Sequence, residues 1–330
     1  MIISVHADYW ILGVPDINDF RISSAGTISR IFIEQLTVVV VNIFVLISGW
    51  FGIRPSVKSF SSLLFQTFFF LFGVYAVGVL TGLTHFSIKS FAQCFLFTHS
   101  YWFIKAYIGL YILSPILNKF IETCSKRVYF RTLCLLYSFQ FIYGWINSEI
   151  WINQGYSTFS FICLYLLAKY IRLYGAQWTK SIKKGIYIYL ITCFLAALIA
   201  IGGVILSIQS IPFLMISYIN PFVVAGSLGL LIAFANMSLK YSAIINKIAQ
   251  STFAVYLFPC FWISDYIYRS LFINIYENYN GLTVIGLICT ILINLFLVSI
   301  AFDQIRIFIW NWIWPTMEKR INKSTNKTHG

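Results

Sequence analysis

Residues 186–208 read IYIYLITCFLAALIAIGGVILSI, a stretch without a single charge. A helix of about 20 predominantly apolar residues reaches across the hydrocarbon of a bilayer, so this stretch is a span before it is a core helix. Working outward, Ile31–Ile53 carries one charge, Glu34, and Ser207–Met237 carries none. The composition of the whole chain agrees. Of 330 residues, 59% are apolar and 10% charged, whereas a soluble domain is typically about 25% charged. Phe, Tyr and Trp are abundant, as in aromatic belts at headgroup level. The pattern defines an all-α, polytopic transmembrane helical bundle of about ten helices with a short first one. The short one is Met1–Gly13. Nine full spans follow, near Ile31–Ile53, Ser62–Leu83, Tyr101–Ile121, Tyr129–Trp145, Ser157–Tyr174, Ile186–Ile208, Pro212–Met237, Ile248–Tyr268 and Leu282–Phe302.

The formal net charge of +13 raises the question of nucleic acid in a soluble protein. Here the cations sit in short links between apolar runs, and topology accounts for them better. With the link after Ile31–Ile53 placed in the cytoplasm, alternation puts 18 of the 23 basic residues on that side. The outer side keeps Arg21, Arg30, Lys89, Lys105 and Arg269. Cytoplasmic links are enriched in Lys and Arg, so the asymmetry supports both the direction and the number of crossings. The C-terminus is then cytoplasmic. The chain divides into a transmembrane domain over 1–317 and a basic tail over 318–330 that can touch anionic lipid. The opening lacks the basic start and small-residue cleavage site of a signal peptide. The seven Cys form no CxxC pair and no Cys/His cluster, so neither a zinc site nor a disulfide scaffold is expected.

Ionisable groups at membrane depth are costly and therefore functional candidates. His6 lies in the first apolar stretch with Asp8 two residues on; it is either a general base or an idle, hydrogen-bonded imidazole. Glu34, Gln35 and Asn42 form a second group. Glu34 and Asn42 are eight residues apart, about two turns, and share a helix face; the alternative for Glu34 is a cap at the outer helix end. His99, Trp102, Lys105 and Tyr111 form a third group, in which Lys105 either snorkels to the interface or meets an anion. Asp265 and Arg269 are spaced as an ordinary ion pair or as the rim of a site. Arg54 and Lys58 lie where a phosphate-bearing donor can approach, or serve topology alone. No phosphate loop, HExxH, GxSxG or kinase signature is present.

Four segments, in order, resemble the membrane acyltransferase-3 family, which includes O-acetyltransferases of bacterial lipopolysaccharide and capsule. They are His6 near the outer end of the first span, VNIFVLISGWFG over Val41–Gly52, YWFIKAYIGLYILSP over Tyr101–Pro115, and STFAVYL over Ser251–Leu257. The resemblance implies a bacterial inner-membrane enzyme that takes an acyl group, acetyl above all, from acyl-coenzyme A and delivers it to a hydroxyl of a cell-surface or exported polysaccharide, free or lipid-linked, without a metal. It makes His6 the base toward that hydroxyl or a transient acyl carrier. Glu34 becomes its orienting carboxylate, since Asp8, two residues from His6, does not share its face. Asn42, His99, Trp102, Lys105 and Tyr111 become substrate-binding residues, and Arg54 and Lys58 donor-binding ones. Three departures accompany it. The family places an Arg well before the His, where this sequence has only five residues. Its paired arginines in the first link are replaced by Arg54 and Lys58, and Phe258-Pro259 stands where many members have a His. Two further readings stay open, a polysaccharide precursor flippase and an inactive, shortened member of the family.

Overall fold

The computed structural model describes residues 2–97, 101–259, 262–279 and 282–328, with side chains for all of these except 2, 6, 7, 10, 262–266, 282 and 322–328. Every regular element among them is helical. Five helices are long and apolar enough to cross a membrane: Ser24–Phe51, Val57–Leu80, Trp102–Thr123, Ile182–Ile205 and Thr283–Ile321. The packing has the inverted pattern of a bundle in lipid. On Ile182–Ile205 the buried side chains are small, Cys193, Ala196, Ala197 and Ala200, while Leu190, Ile191, Phe194, Leu195 and Leu198 are exposed. Small residues let helices approach where lipid gives no hydrophobic incentive to hide large ones.

Serine begins most of the long helices. The hydroxyls of Ser23, Ser56, Ser125, Ser157 and Ser181 accept backbone N–H bonds from the first turns that follow them. An N-cap of this kind satisfies a donor that the helix itself leaves orphaned.

Three expected spans take a different form. Pro212–Met237 is not continuous: Ser210–Met215 is one short helix and Pro221–Ala235 another. The cause is local. The Asn220 side chain accepts from the Phe222 N–H with proline in the first turn, a start signal that isolates residues 216–220 as irregular backbone. Ile248–Tyr268 is likewise divided into Ala243–Gln250, Thr252–Leu257 and the helix that begins at Trp262. The last span does not stop at Phe302. Its helix runs from Leu282 to Thr328 through Pro315, because Ile305, Phe308, Trp310 and Trp314 prolong the apolar pattern beyond Phe302.

The chain forms two compact units. One comprises residues 1–55 and 99–240, the other 56–98 and 241–330. In the first, Ile182–Ile205 packs along Pro221–Ala235, and Thr158–Tyr174 along Val40–Phe51. A Cβ on Gly185 would meet the Gly229 carbonyl oxygen at 2.6 Å, and one on Gly229 the Gly185 carbonyl oxygen at 2.7 Å, so the two backbones touch. In the second, Val57–Leu80 packs against the helices that follow residue 251. Its polar centre is Asp303, which accepts two bonds from Arg306 at 2.9 and 2.8 Å and a third from Gln66 Nε2 at 3.0 Å.

Candidate functional site

The opening segment is a helix over Ile2–Ala7 and a turn over Tyr9–Leu12, broken at Asp8. It packs on the Ser24–Thr37 helix. Tyr9 and Ile31 join Ala196, Ala197, Ala200 and Val204 in one buried cluster, which seats the segment firmly. The break turns the Asp8 carboxylate toward Arg30. Arg30 Nε donates to Asp8 Oδ1 at 2.6 Å and Nη2 donates to the Gly13 carbonyl at 2.7 Å, with the guanidinium over the Tyr9 ring. The arginine thus ties both ends of the Asp8–Gly13 turn to its own helix.

Glu34 lies one turn along from Arg30 and is 2% exposed. Asp8, Arg30, Tyr9 and Tyr156 are all within its electrostatic reach, yet among the described residues its Oε2 has no hydrogen-bond partner. Neither amide atom of Gln35 has one, nor does the Tyr9 hydroxyl or Asn42 Oδ1. Buried polar groups in native proteins are nearly always paired. Their concentration along one helix and the segment packed on it makes this the candidate place for a polar ligand. Asn42 Nδ2 donates to the Tyr218 carbonyl at 2.8 Å, in the irregular stretch ahead of Asn220. Tyr218, Tyr156 and Trp102 form an aromatic group, with centroids 4.3 Å apart for Trp102–Tyr156, 4.9 Å for Tyr156–Tyr218 and 5.5 Å for Trp102–Tyr218.

The residues singled out in the sequence fall unevenly. Glu34 and Asn42 are both buried on one face, and Trp102 reaches them through the two tyrosines. His6 is helical and its helix packs beside that of Glu34, but its side chain lies outside the described residues, as does His99 altogether. Lys105 is half-buried in the first turn of its helix, and Tyr111 is buried two turns deeper. The Asp265 side chain, offered as a partner of Arg269, is also outside the described residues. Arg54 is exposed just beyond the Val40–Phe51 helix, while Lys58 belongs to the other unit, with its ammonium over the Trp314 ring. Arg30 is a site residue that the sequence placed only among the outer cations, although its spacing of four from Glu34 was visible. Tyr156 and Tyr218 gave no signal, since they sit on irregular backbone.

The fold is that of a polytopic membrane protein with a buried polar centre. A family model described as "Acyltransferase domain" matches residues 1–299. The chain belongs to that family and is an acyltransferase-type enzyme of the membrane. No curated protein and no solved structure matches it.

Proposed function

We propose that the protein is an O-acyltransferase of the bacterial inner membrane. It moves an acyl group, acetyl in this reading, from acyl-coenzyme A to a hydroxyl of a cell-surface or exported polysaccharide. The observation that carries the reading is the Glu34 carboxylate, buried with an oxygen unpaired beside the Asp8–Arg30 pair, on the helix against which the His6 helix packs.

An alcohol is a weak nucleophile at neutral pH. A base has to take its proton as the oxygen attacks the thioester carbon. His6 takes that proton, the new C–O bond forms, and the C–S bond breaks. The proton then passes to the leaving thiolate, so the imidazole ends as it began. Glu34 orients the imidazole and stabilises its charged form. Asn42, Trp102 and Lys105 supply donors for the oxyanion of the tetrahedral intermediate, and His99 and Tyr111 help hold the acceptor. The Trp102, Tyr156 and Tyr218 rings offer the acceptor an aromatic wall.

The test is transfer of radiolabelled acetyl from acetyl-coenzyme A to the polysaccharide of the producing cell, in isolated membranes. A positioned base contributes roughly 10²–10⁴-fold, so His6→Ala loses at least about 10²-fold at unchanged protein level. Glu34→Gln loses less, and mainly in kcat. Full transfer by His6→Ala would falsify the assignment.

A further inference from the structure

The far end of the Glu34 helix carries a second polar construction. The Val40–Phe51 helix stops at Gly52, whose φ of +83° favours glycine. The turn that follows is pinned from below. Asn118 Nδ2 donates to the Ile53 carbonyl at 2.9 Å, while the Tyr165 hydroxyl accepts from the Ile53 N–H at 3.1 Å and donates to Asn118 Oδ1 at 2.6 Å. Gly49 lies against the Tyr165 backbone, where a Cβ would collide with the carbonyl oxygen. The turn is therefore rigidly placed on the Thr158–Tyr174 helix.

That helix delivers two cations to it. Lys169 Nζ stands 3.1 Å from where a Gly52 Cβ would be. Arg172 donates to the Trp50 carbonyl and lies over the Trp50 and Phe51 rings. Arg54 and Arg172 are both within electrostatic reach of Lys169. None of these three cations takes part in the Asp8–Arg30 or Asp303–Arg306 ion pair, and none has a carboxylate within ion-pair distance among the described residues. Carbonyls at a helix C-terminus attract a cation, which accounts for Arg172. They do not account for Lys169 and Arg54, which make no hydrogen bond of their own there yet are held against a like charge. Like charges gathered on a fixed turn are relieved by an anion, and lysine and arginine together suit phosphate.

We infer that Arg54, Lys169 and Arg172 form a phosphate-binding site on the Gly52 turn, and that it receives the phosphates of the acyl-coenzyme A donor. The inference rests on the proposed function for its ligand. It replaces the sequence pairing of Arg54 with Lys58 by a pairing across two helices of one unit. An anionic lipid headgroup presents the same chemistry and is the competing source.

The test uses the full chain in nanodiscs of zwitterionic phosphatidylcholine, with equilibrium binding of radiolabelled coenzyme A. Binding is saturable, is displaced by unlabelled coenzyme A and is not displaced by pantetheine, which lacks the phosphates. Lys169→Gln and Arg172→Gln each weaken it about tenfold, the lower end of what one hydrogen bond to a charged group contributes, and Lys169→Arg restores most of it. Lys169 caps no carbonyl, so its variant is free of the folding question that attends Arg172. Wild-type affinity in Lys169→Gln, or equal displacement by pantetheine, overturns the site. So does a Lys169-dependent retention of phosphatidylglycerol with no binding of coenzyme A. Lys169-dependent binding without any acyl transfer overturns the proposed function alone, whereas transfer with an unchanged KM for the donor in Lys169→Gln overturns the site alone.

Discussion

Arg30 and Glu34, one turn of helix apart, are held in opposite ways. Arg30 is engaged by Asp8 and the Gly13 carbonyl, whereas Glu34 Oε2 is left unpaired. Arg30 is partly exposed while Asp8 is buried, so removing the arginine strands a buried carboxylate and costs on the order of 1–3 kcal/mol. Arg30→Gln therefore lowers the unfolding temperature in detergent, and Asp8→Asn in the same chain recovers part of the loss, as a double-mutant cycle by thermal unfolding will show. Glu34→Gln behaves in the opposite way. It replaces a buried carboxyl whose Oε2 has no hydrogen-bond partner among the described residues, so the variant is at least as stable as the parent while transfer falls, though by less than in His6→Ala. A gain in stability with a loss of activity is the mark of a residue kept for function. At this scale the sequence announced Glu34 and Asn42 through their shared face. It gave no sign of Tyr156 and Tyr218, because no periodicity reaches residues on irregular backbone. Lys169 and Arg172 looked like ordinary inside charges until the fold set them on the Gly52 turn.

Among the elements, the close contact of Ile182–Ile205 with Pro221–Ala235 bears most on the site. It supports the alanine surface on which Tyr9 and Ile31 rest. Gly229→Ala places a methyl group 2.7 Å from the Gly185 carbonyl oxygen, and overpacking of this kind costs roughly 1–3 kcal/mol. Gly202→Ala on the same helix as Gly185 meets nothing within 4 Å and leaves stability unchanged or slightly raised. Thermal unfolding of the two variants side by side separates the contact from the general effect of glycine replacement. Most elements were legible from apolar length alone, and the serine caps were in plain view at their starts. Breaks inside apolar runs were not, because hydropathy averages over Asn220-Pro221 and over Ser251. The continuation past Phe302 was hidden for the converse reason: Asp303 and Arg306 interrupt the apolar run in the sequence, whereas they pair with each other within the helix.

For the molecule as a whole, the two constructions on the Ser24–Phe51 span set a distance. Glu34 and Gly52 are separated by eighteen residues of nearly continuous helix, about 27 Å at 1.5 Å per residue, close to the roughly 30 Å of bilayer hydrocarbon. The polar centre and the cationic turn are therefore separated along one span by nearly the thickness of the hydrocarbon layer. On the proposed function, the donor is held on the cytoplasmic face and the acceptor is modified toward the outer one. The alternation of basic links along the chain points in the same direction. Sealed inside-out membrane vesicles put transfer across the membrane to the test, with radiolabelled acetyl-coenzyme A supplied to the exposed cytoplasmic face and the cell's polysaccharide enclosed in the lumen. Label is expected on the enclosed polysaccharide, and none in vesicles carrying His6→Ala. Label that appears only when donor and polysaccharide share one side of the membrane would contradict transfer from one face to the other.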